Sequence, residues 1–122
     1  MQLDFQSERP LFLQIAEQLE DAIFTGAFPE ETQIPSTTEI STQFKINPAT
    51  VLKGMGVLVD EGILYKKRGV GMFVAENAVA KIRESRQSAF YQEFVLRMLD
   101  EAKKLGLTRE EIIALIERSD EK

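Results

Sequence analysis

The chain has 122 residues, of which 43% are hydrophobic and 29% are charged, with a net charge of -5. This composition is typical of a globular protein with one compact core and a small additional unit. The sequence contains neither cysteine nor histidine, which excludes thiol nucleophiles, disulfides, histidine-based proton transfer and zinc sites built from these residues. We therefore expect neither an enzyme nor a bound metal or cofactor.

Apolar runs in the sequence are short, Val57-Leu58-Val59 being an example, and the first residues show no basic region followed by an apolar stretch. This pattern is not typical of an export signal or a membrane span. We expect a cytoplasmic protein without a membrane partner.

The first predicted element is an amphipathic helix from Pro10 to Gly26. Its apolar residues recur at spacings of three and four, with acidic residues on the opposite side. Proline is favoured in the first turn and glycine just beyond the last, so these two residues mark its ends. The apolar positions are Phe12, Ile15, Ala16, Leu19, Ala22 and Ile23.

Two shorter helices are predicted next. Ser36 and Glu39 fit the capping-box pattern at the start of a helix from Thr37 to about Phe44. Asn47 before Pro48 predicts a capping residue and a first-turn proline for a second helix that runs to residue 62.

That second helix contains Gly54 and Gly56. Each glycine costs up to about 1 kcal/mol in helix propensity relative to alanine. Either tertiary packing compensates for this cost, or a neighbouring backbone comes close to the helix.

β-Prone segments at 63–67 and 72–74 flank two glycines that suit a tight reversal, which predicts a hairpin with a basic tip. After the hairpin, Asn77 is predicted to cap a long helix that continues to about Lys104. Thr108 and Glu111 form a second capping-box pattern, which predicts a final helix.

Charge is unevenly distributed over these elements. Residues 1–32 contain seven acidic and one basic residue, residues 33–75 contain three acidic and five basic, and residues 76–122 contain ten acidic and nine basic. Because nucleic-acid binding depends on the local field at the contact surface, the acidic total does not exclude it.

A helix, two short helices with a three-residue break and a hairpin make up a winged helix-turn-helix, which is mainly α with a small β-hairpin. We predict this fold for residues 1–75 and a two-helix tail for residues 76–122. In such a domain the second short helix, called the recognition helix, enters the DNA major groove. The hairpin, called the wing, lies along the phosphates. The predicted DNA-binding residues are Asn47, Ala49, Thr50, Lys53, Lys66, Lys67, Arg68, Gly69, Val70 and Gly71.

Both parts of this site have a structural alternative. In this alternative, Asn47 and Thr50 serve only as a helix cap and a solvent-exposed polar surface. The wing tip is then a solvent-exposed turn that contains a run of charged residues. The position of the wing directly after the recognition helix favours DNA binding. For the whole chain, the alternative is a winged helix that serves as a protein interaction module without specific DNA binding.

Several short motifs occur in one register between about residues 9 and 75. They are Pro10-Leu11-Phe12-x-Gln14-Ile15, the Gly26 helix stop, Ile34-Pro35-Ser36-x-x-Glu39-Ile40, Thr50-Val51, Leu58-x-x-Glu61-Gly62-Ile63-Leu64 and Arg68-Gly69-x-Gly71-x-Phe73-Val74. Together they resemble the GntR family of bacterial transcriptional regulators, and the short tail resembles that of the YtrA-like subgroup. The resemblance implies a homodimeric repressor on a DNA operator, in this subgroup often one that controls transporter genes.

By position, the resemblance adds Ser36, Thr37 and Thr38 to the DNA-binding residues. Family members often have a DNA-contacting arginine where this chain has Thr38, Pro48 and Leu52. With fewer arginines, we expect phosphate contacts and DNA shape to carry a larger share of binding.

The long tail helix has more apolar residues than one short final helix can cover, which predicts that a second copy of the chain covers them. The predicted dimerisation residues are Ile82, Ala89, Phe90, Phe94 and Leu99. A two-fold dimer is expected to bind a pseudo-palindromic operator. The sequence identifies neither the operator nor a small-molecule effector.

Overall fold

The computed structural model describes residues 2–119. In that range the elements are α1 (Leu11–Phe24), α2 (Thr37–Phe44), α3 (Pro48–Asp60), β1 (Leu64–Lys67), β2 (Gly71–Val74), α4 (Ala78–Phe90), a π-helical segment (Tyr91–Val95), α5 (Leu96–Lys104) and α6 (Arg109–Ser119). The predicted mainly helical fold with one hairpin is confirmed. None of these helices is both long and apolar enough to cross a membrane.

The chain divides into two compact units, Met1–Glu84 and Ser85–Lys122. The core of the first unit lies mainly between α1 and α3, where apolar residues at helical spacing face each other. Its largest fully buried side chains are Ile15, Leu19, Ile23, Met55, Leu58, Leu64, Ile82, Val51 and Val74. Strand β1 pairs antiparallel with β2, and residue 33 forms a further bridge to Phe73.

The two glycines of α3 differ in their surroundings. A Cβ on Gly54 would lie 2.8 Å from the carbonyl oxygen of Phe12 and 2.9 Å from Cγ2 of Ile15, whereas no atom lies within 4 Å of a Cβ on Gly56. The close approach of α1 therefore explains Gly54. It does not explain Gly56.

The predicted helix starts are confirmed at three places. The Ser36 Oγ accepts a hydrogen bond from the Glu39 amide at 3.0 Å, while the Glu39 carboxylate accepts one from the Ser36 amide at 3.1 Å. The Asn47 Oδ1 accepts from the Ala49 amide at 2.9 Å. At the start of α6, Glu111 and the residue at 108 form the same reciprocal pair as Ser36 and Glu39.

The predicted capping role of Asn77 is wrong. This residue has φ 68°, in the left-handed region, whereas an N-cap residue is extended. Instead, the Glu30 carboxylate accepts hydrogen bonds from the amides of Asn77 at 2.9 Å and Val79 at 3.0 Å. These two bonds hold the pKa of Glu30 below its ordinary value. The cap comes from a residue distant in sequence, which local pattern does not reveal.

The start of α4 belongs to the first unit. Ala78 is fully buried and Ile82 is 2% exposed, and both lie in the same core cluster as α1 and α3. The division of the chain therefore falls after Glu84 rather than after residue 75. The prediction of Ile82 as a dimerisation residue is wrong, because its side chain is buried within its own protomer.

In the second unit, the predicted continuous helix to Lys104 is interrupted by the π-helical segment. The rings of Phe90 and Phe94 lie 5.5 Å apart at its two ends. Helices α5 and α6 line an apolar cleft of ≈ 310 Å³ between them. Ala102 is the one residue of this unit that is buried among those described.

Candidate nucleic-acid interface

The first turns of α3 present an outward face on the side opposite the core. Buried Val51, Met55 and Leu58 fix the inner face of the helix. With 3.6 residues per turn, Ala49 and Lys53 point away from these residues, and Leu52 lies at the border of the outer face. All three are exposed, as is Pro48 in the first turn. Thr50 lies at the border and is half-buried. The recognition helix is thus accessible at its N-terminal end.

Two polar side chains of α3 also have partners within the chain. The Oδ1 of Asn47 caps the helix, so the capping interpretation of this residue is confirmed. The Lys53 ammonium lies 4.1 Å from the centroid of the Phe12 ring, in a cation–π contact with α1. This contact orients the lysine, and no local pattern in the sequence predicts it.

At the start of α2, three predicted residues have different environments. The Ser36 side chain caps the helix, and the Thr37 hydroxyl donates to the Met55 sulphur at 3.5 Å. Thr38 is exposed. Of the three side chains, that of Thr38 is therefore the one placed for an outward contact.

The wing presents three exposed cations in a row. Lys66 pairs with Met72, and Lys67 pairs with Gly71, at the turn end of the hairpin. The turn is closed by a hydrogen bond from the Val70 amide to the Lys67 carbonyl at 2.9 Å. Gly69 at the tip has φ 77°, a conformation that glycine adopts without strain. Lys66, Lys67 and Arg68 are all exposed.

Gln33 supports the wing tip, and sequence reasoning missed it. Its Nε2 donates to the Val70 carbonyl at 3.0 Å. A Cβ on Gly71, where φ is 146°, would lie 2.5 Å from the same Nε2, so glycine is required for this contact. Because Gln33 lies three residues before Ser36, the hydrogen bond brings the wing tip next to the chain that leads into α2.

The base of the wing is an aromatic platform. The Tyr65 and Phe73 rings stack with centroids 5.8 Å apart, and the Lys67 ammonium lies 4.2 Å from the Phe73 centroid. The Tyr65 hydroxyl donates to the Glu31 carboxylate at 3.0 Å. Desolvation, together with this hydrogen bond, raises the pKa of Tyr65. The platform therefore orients Lys67 and joins the wing to the turn after α1.

The family described as "Bacterial regulatory proteins, gntR family" matches residues 11–74, which include α1 to β2. The chain is also 33% identical over 115 residues to YhcF, an HTH-type transcriptional regulator of Bacillus subtilis, with 93% of this chain and 92% of YhcF covered. The chain belongs to the GntR family. It is a transcription regulator whose DNA-binding domain is the winged helix.

A second relative of this GntR-family chain is the B. subtilis repressor YtrA. The two are 29% identical over 100 residues, which cover 82% of this chain and 77% of YtrA. The resemblance to YtrA-type regulators is thus confirmed. By contrast, the B. subtilis repressor NagR is 38% identical over 76 residues, and the chain spans 31% of its length.

Solved structures of the GntR family are also similar. A regulator from Bacteroides thetaiotaomicron has a TM-score of 0.76 at 32% identity, covering 90% of this chain and 96% of that one. The DNA-binding domain of AraR in complex with its operator ORX1 has a TM-score of 0.56 at 32% identity, covering 62% of this chain and 93% of that domain.

Proposed function

We propose that this chain is a homodimeric repressor that binds a pseudo-palindromic operator. Each protomer places the start of α3 in the major groove and the wing along the phosphate backbone, while the second unit forms the dimer. The protein acts in the cytoplasm, and it has neither enzymatic activity nor a cofactor. Thr38, Ala49, Thr50 and Lys53 lie towards the groove, with the wing tip, Lys66 to Gly71, on the backbone.

The observation that carries this proposal is the basic, supported wing in the same unit as an accessible recognition helix. Cations that face phosphates release condensed counterions, which supplies sequence-independent affinity. Gln33 and the aromatic platform hold the wing in place, so less conformational entropy is lost when it meets DNA. The operator complex of the AraR domain supports the same use of this fold.

The dimer is supported by the apolar surface of the second unit. Phe90 is 58% exposed and Phe94 is 56% exposed. Further large apolar residues exposed in this unit are Tyr91, Leu96, Met98, Leu99, Leu105, Ile113, Leu115 and Ile116. This number of exposed large apolar residues in one small unit indicates an interaction site. Of the predicted dimerisation residues, Ala89, Phe90, Phe94 and Leu99 remain in the proposal.

Repression is supported by the relatives YtrA and NagR, both of which are transcriptional repressors by name. The test is a reporter gene joined to the DNA upstream of the chain's own gene, together with gel retardation of the same DNA fragment. We expect lower reporter expression in the presence of the protein, and a retarded band that fades as salt rises. Unchanged expression would contradict repression, and no retarded band on this fragment or on a randomised duplex library would favour the protein interaction module.

A further inference from the structure

Apolar residues are exposed on the outer side of α3. Leu52 is 51% exposed, and Pro48 and Ala49 lie within one helical turn of it on the same side. Gly56 lies four residues after Leu52, and no atom lies within 4 Å of the position that a Cβ on Gly56 would occupy. Ala49 and Leu52 therefore form an exposed apolar ridge on this side of the helix. We call these two residues the apolar ridge.

Two polar side chains beside the apolar ridge already have partners within the chain. The Asn47 Oδ1 accepts the Ala49 amide, and the Lys53 ammonium lies on the Phe12 ring. No arginine occurs in α3. The bidentate contact by which arginine identifies guanine is therefore absent from this helix.

The major groove offers one apolar feature, the C5-methyl group of thymine. Alanine and other apolar side chains recognise it by removing the methyl group from water. The other three bases carry no methyl group in the major groove, so a leucine in contact with DNA gains most at a thymine edge. The exposed apolar ridge thus matches a thymine edge better than the edge of any other base.

We propose that the apolar ridge reads thymine methyl groups, and that Leu52 is a specificity-determining residue. The operator half-sites then contain thymine at the positions that face the first two turns of α3. This inference rests on the proposed placement of α3 in the major groove.

The test uses a duplex selected by the full chain from a randomised library, in which each thymine is replaced in turn by uracil. This replacement removes the methyl group and leaves every hydrogen-bonding group of the base in place. At one or two thymines per half-site, we expect the replacement to lower affinity about fourfold. This factor corresponds to the free energy of burying one methylene-sized group. Equal affinity of every uracil duplex and the parent would overturn the proposal.

Leu52→Ala identifies the side chain responsible. Because Leu52 lies on the surface, the variant keeps the core intact, and circular dichroism verifies its fold. It should bind the parent duplex more weakly and lose sensitivity to uracil at one position. A variant that stays as sensitive as the wild type at every position would overturn the role of Leu52.

A matched control, Lys66→Ala on the wing, should weaken binding to all duplexes while keeping the full uracil effect. The control also separates the two proposals. Failure of the wild type to bind any duplex would count against the proposed function, whereas salt-dependent binding without a uracil effect would count against the thymine inference alone.

Discussion

At the residue scale, Gly54 lies where α1 packs closely against α3. Gly54→Ala gains helix propensity but forces a methyl group against the Phe12 carbonyl and Ile15, and overpacking typically costs about 1–3 kcal/mol. We expect a lower free energy of unfolding in urea. Gly56→Ala is the matched control, since its Cβ meets open space, and it should raise stability by about 0.5–1 kcal/mol. Equal effects of the two substitutions would contradict the packing described.

Folding disfavours the ionised form of Glu61. Desolvation, then the charges of Glu20 and Asp60, raise its pKa. Because the pKa of Glu61 is raised, its contribution to stability is present below its pKa in the unfolded chain. This contribution is lost as the pH rises through its pKa in the folded protein. Glu61→Gln should therefore increase the free energy of unfolding at neutral pH, and this gain should shrink as pH falls into the ordinary carboxyl range.

Glu30 provides the control of opposite sign. Its pKa is lowered by the hydrogen bonds from Val79 and Asn77, so its contribution is present above the unfolded pKa and lost as pH falls. Glu30→Gln should destabilise at neutral pH, with a difference that also shrinks in acid. Urea unfolding across this pH range measures both variants, and the same sign for both at neutral pH would contradict the account.

At the element scale, we predict that the wing supplies affinity rather than sequence preference. Replacing Lys66, Lys67 and Arg68 by alanine should weaken binding to all DNA alike. The slope of log affinity against log salt should fall by up to about three, because each lost phosphate contact releases about one fewer counterion. Replacing Arg97, Lys103 and Lys104 in the tail changes the net charge equally and should leave the slope unchanged. An unchanged slope in the wing variant would show that the wing does not meet phosphates.

The exposed aromatic pair of the second unit is predicted to be the dimer contact. Phe94→Asp places a charge in that contact and should yield monomers in sedimentation velocity, because burying an unpaired carboxylate is costly. Gln92→Asp adds the same charge to the same segment on a polar position and should remain a dimer. A dimeric Phe94→Asp protein would place the interface elsewhere.

Elements marked by local signals were predictable from the sequence. The capping pairs at Ser36 and Asn47 fixed the starts of α2 and α3, and the glycines at the wing tip fixed the hairpin. Contacts between distant residues were not predictable, since Glu30 caps α4 from 47 residues away and Gln33 supports a carbonyl 37 residues later. Ile82 was misassigned because a periodic apolar pattern does not reveal whether its partner is the same chain or another copy.

At the scale of the whole molecule, we predict that a two-fold dimer determines which DNA can be bound. The core position of Ala78 and Ile82 shows that the winged unit continues into α4 as far as Glu84. A chain that ends after Glu84 should therefore fold and be monomeric, whereas one that ends after Ala75 lacks two core residues and should unfold at lower urea. Equal unfolding midpoints of the two truncated chains would contradict this assignment.

The central claim is that two recognition helices act together on one operator. In helix-turn-helix dimers, half-sites lie about one helical turn, roughly 34 Å, or a multiple of it apart. The decisive measurement is the affinity and stoichiometry of the full chain on a footprinted operator whose half-sites are moved apart in steps of half a turn. We predict two protomers per operator and a fall in affinity of about tenfold or more when the half-sites lie on opposite DNA faces. Equal affinity across the series, with each half-site filled independently by one protomer, would contradict the account.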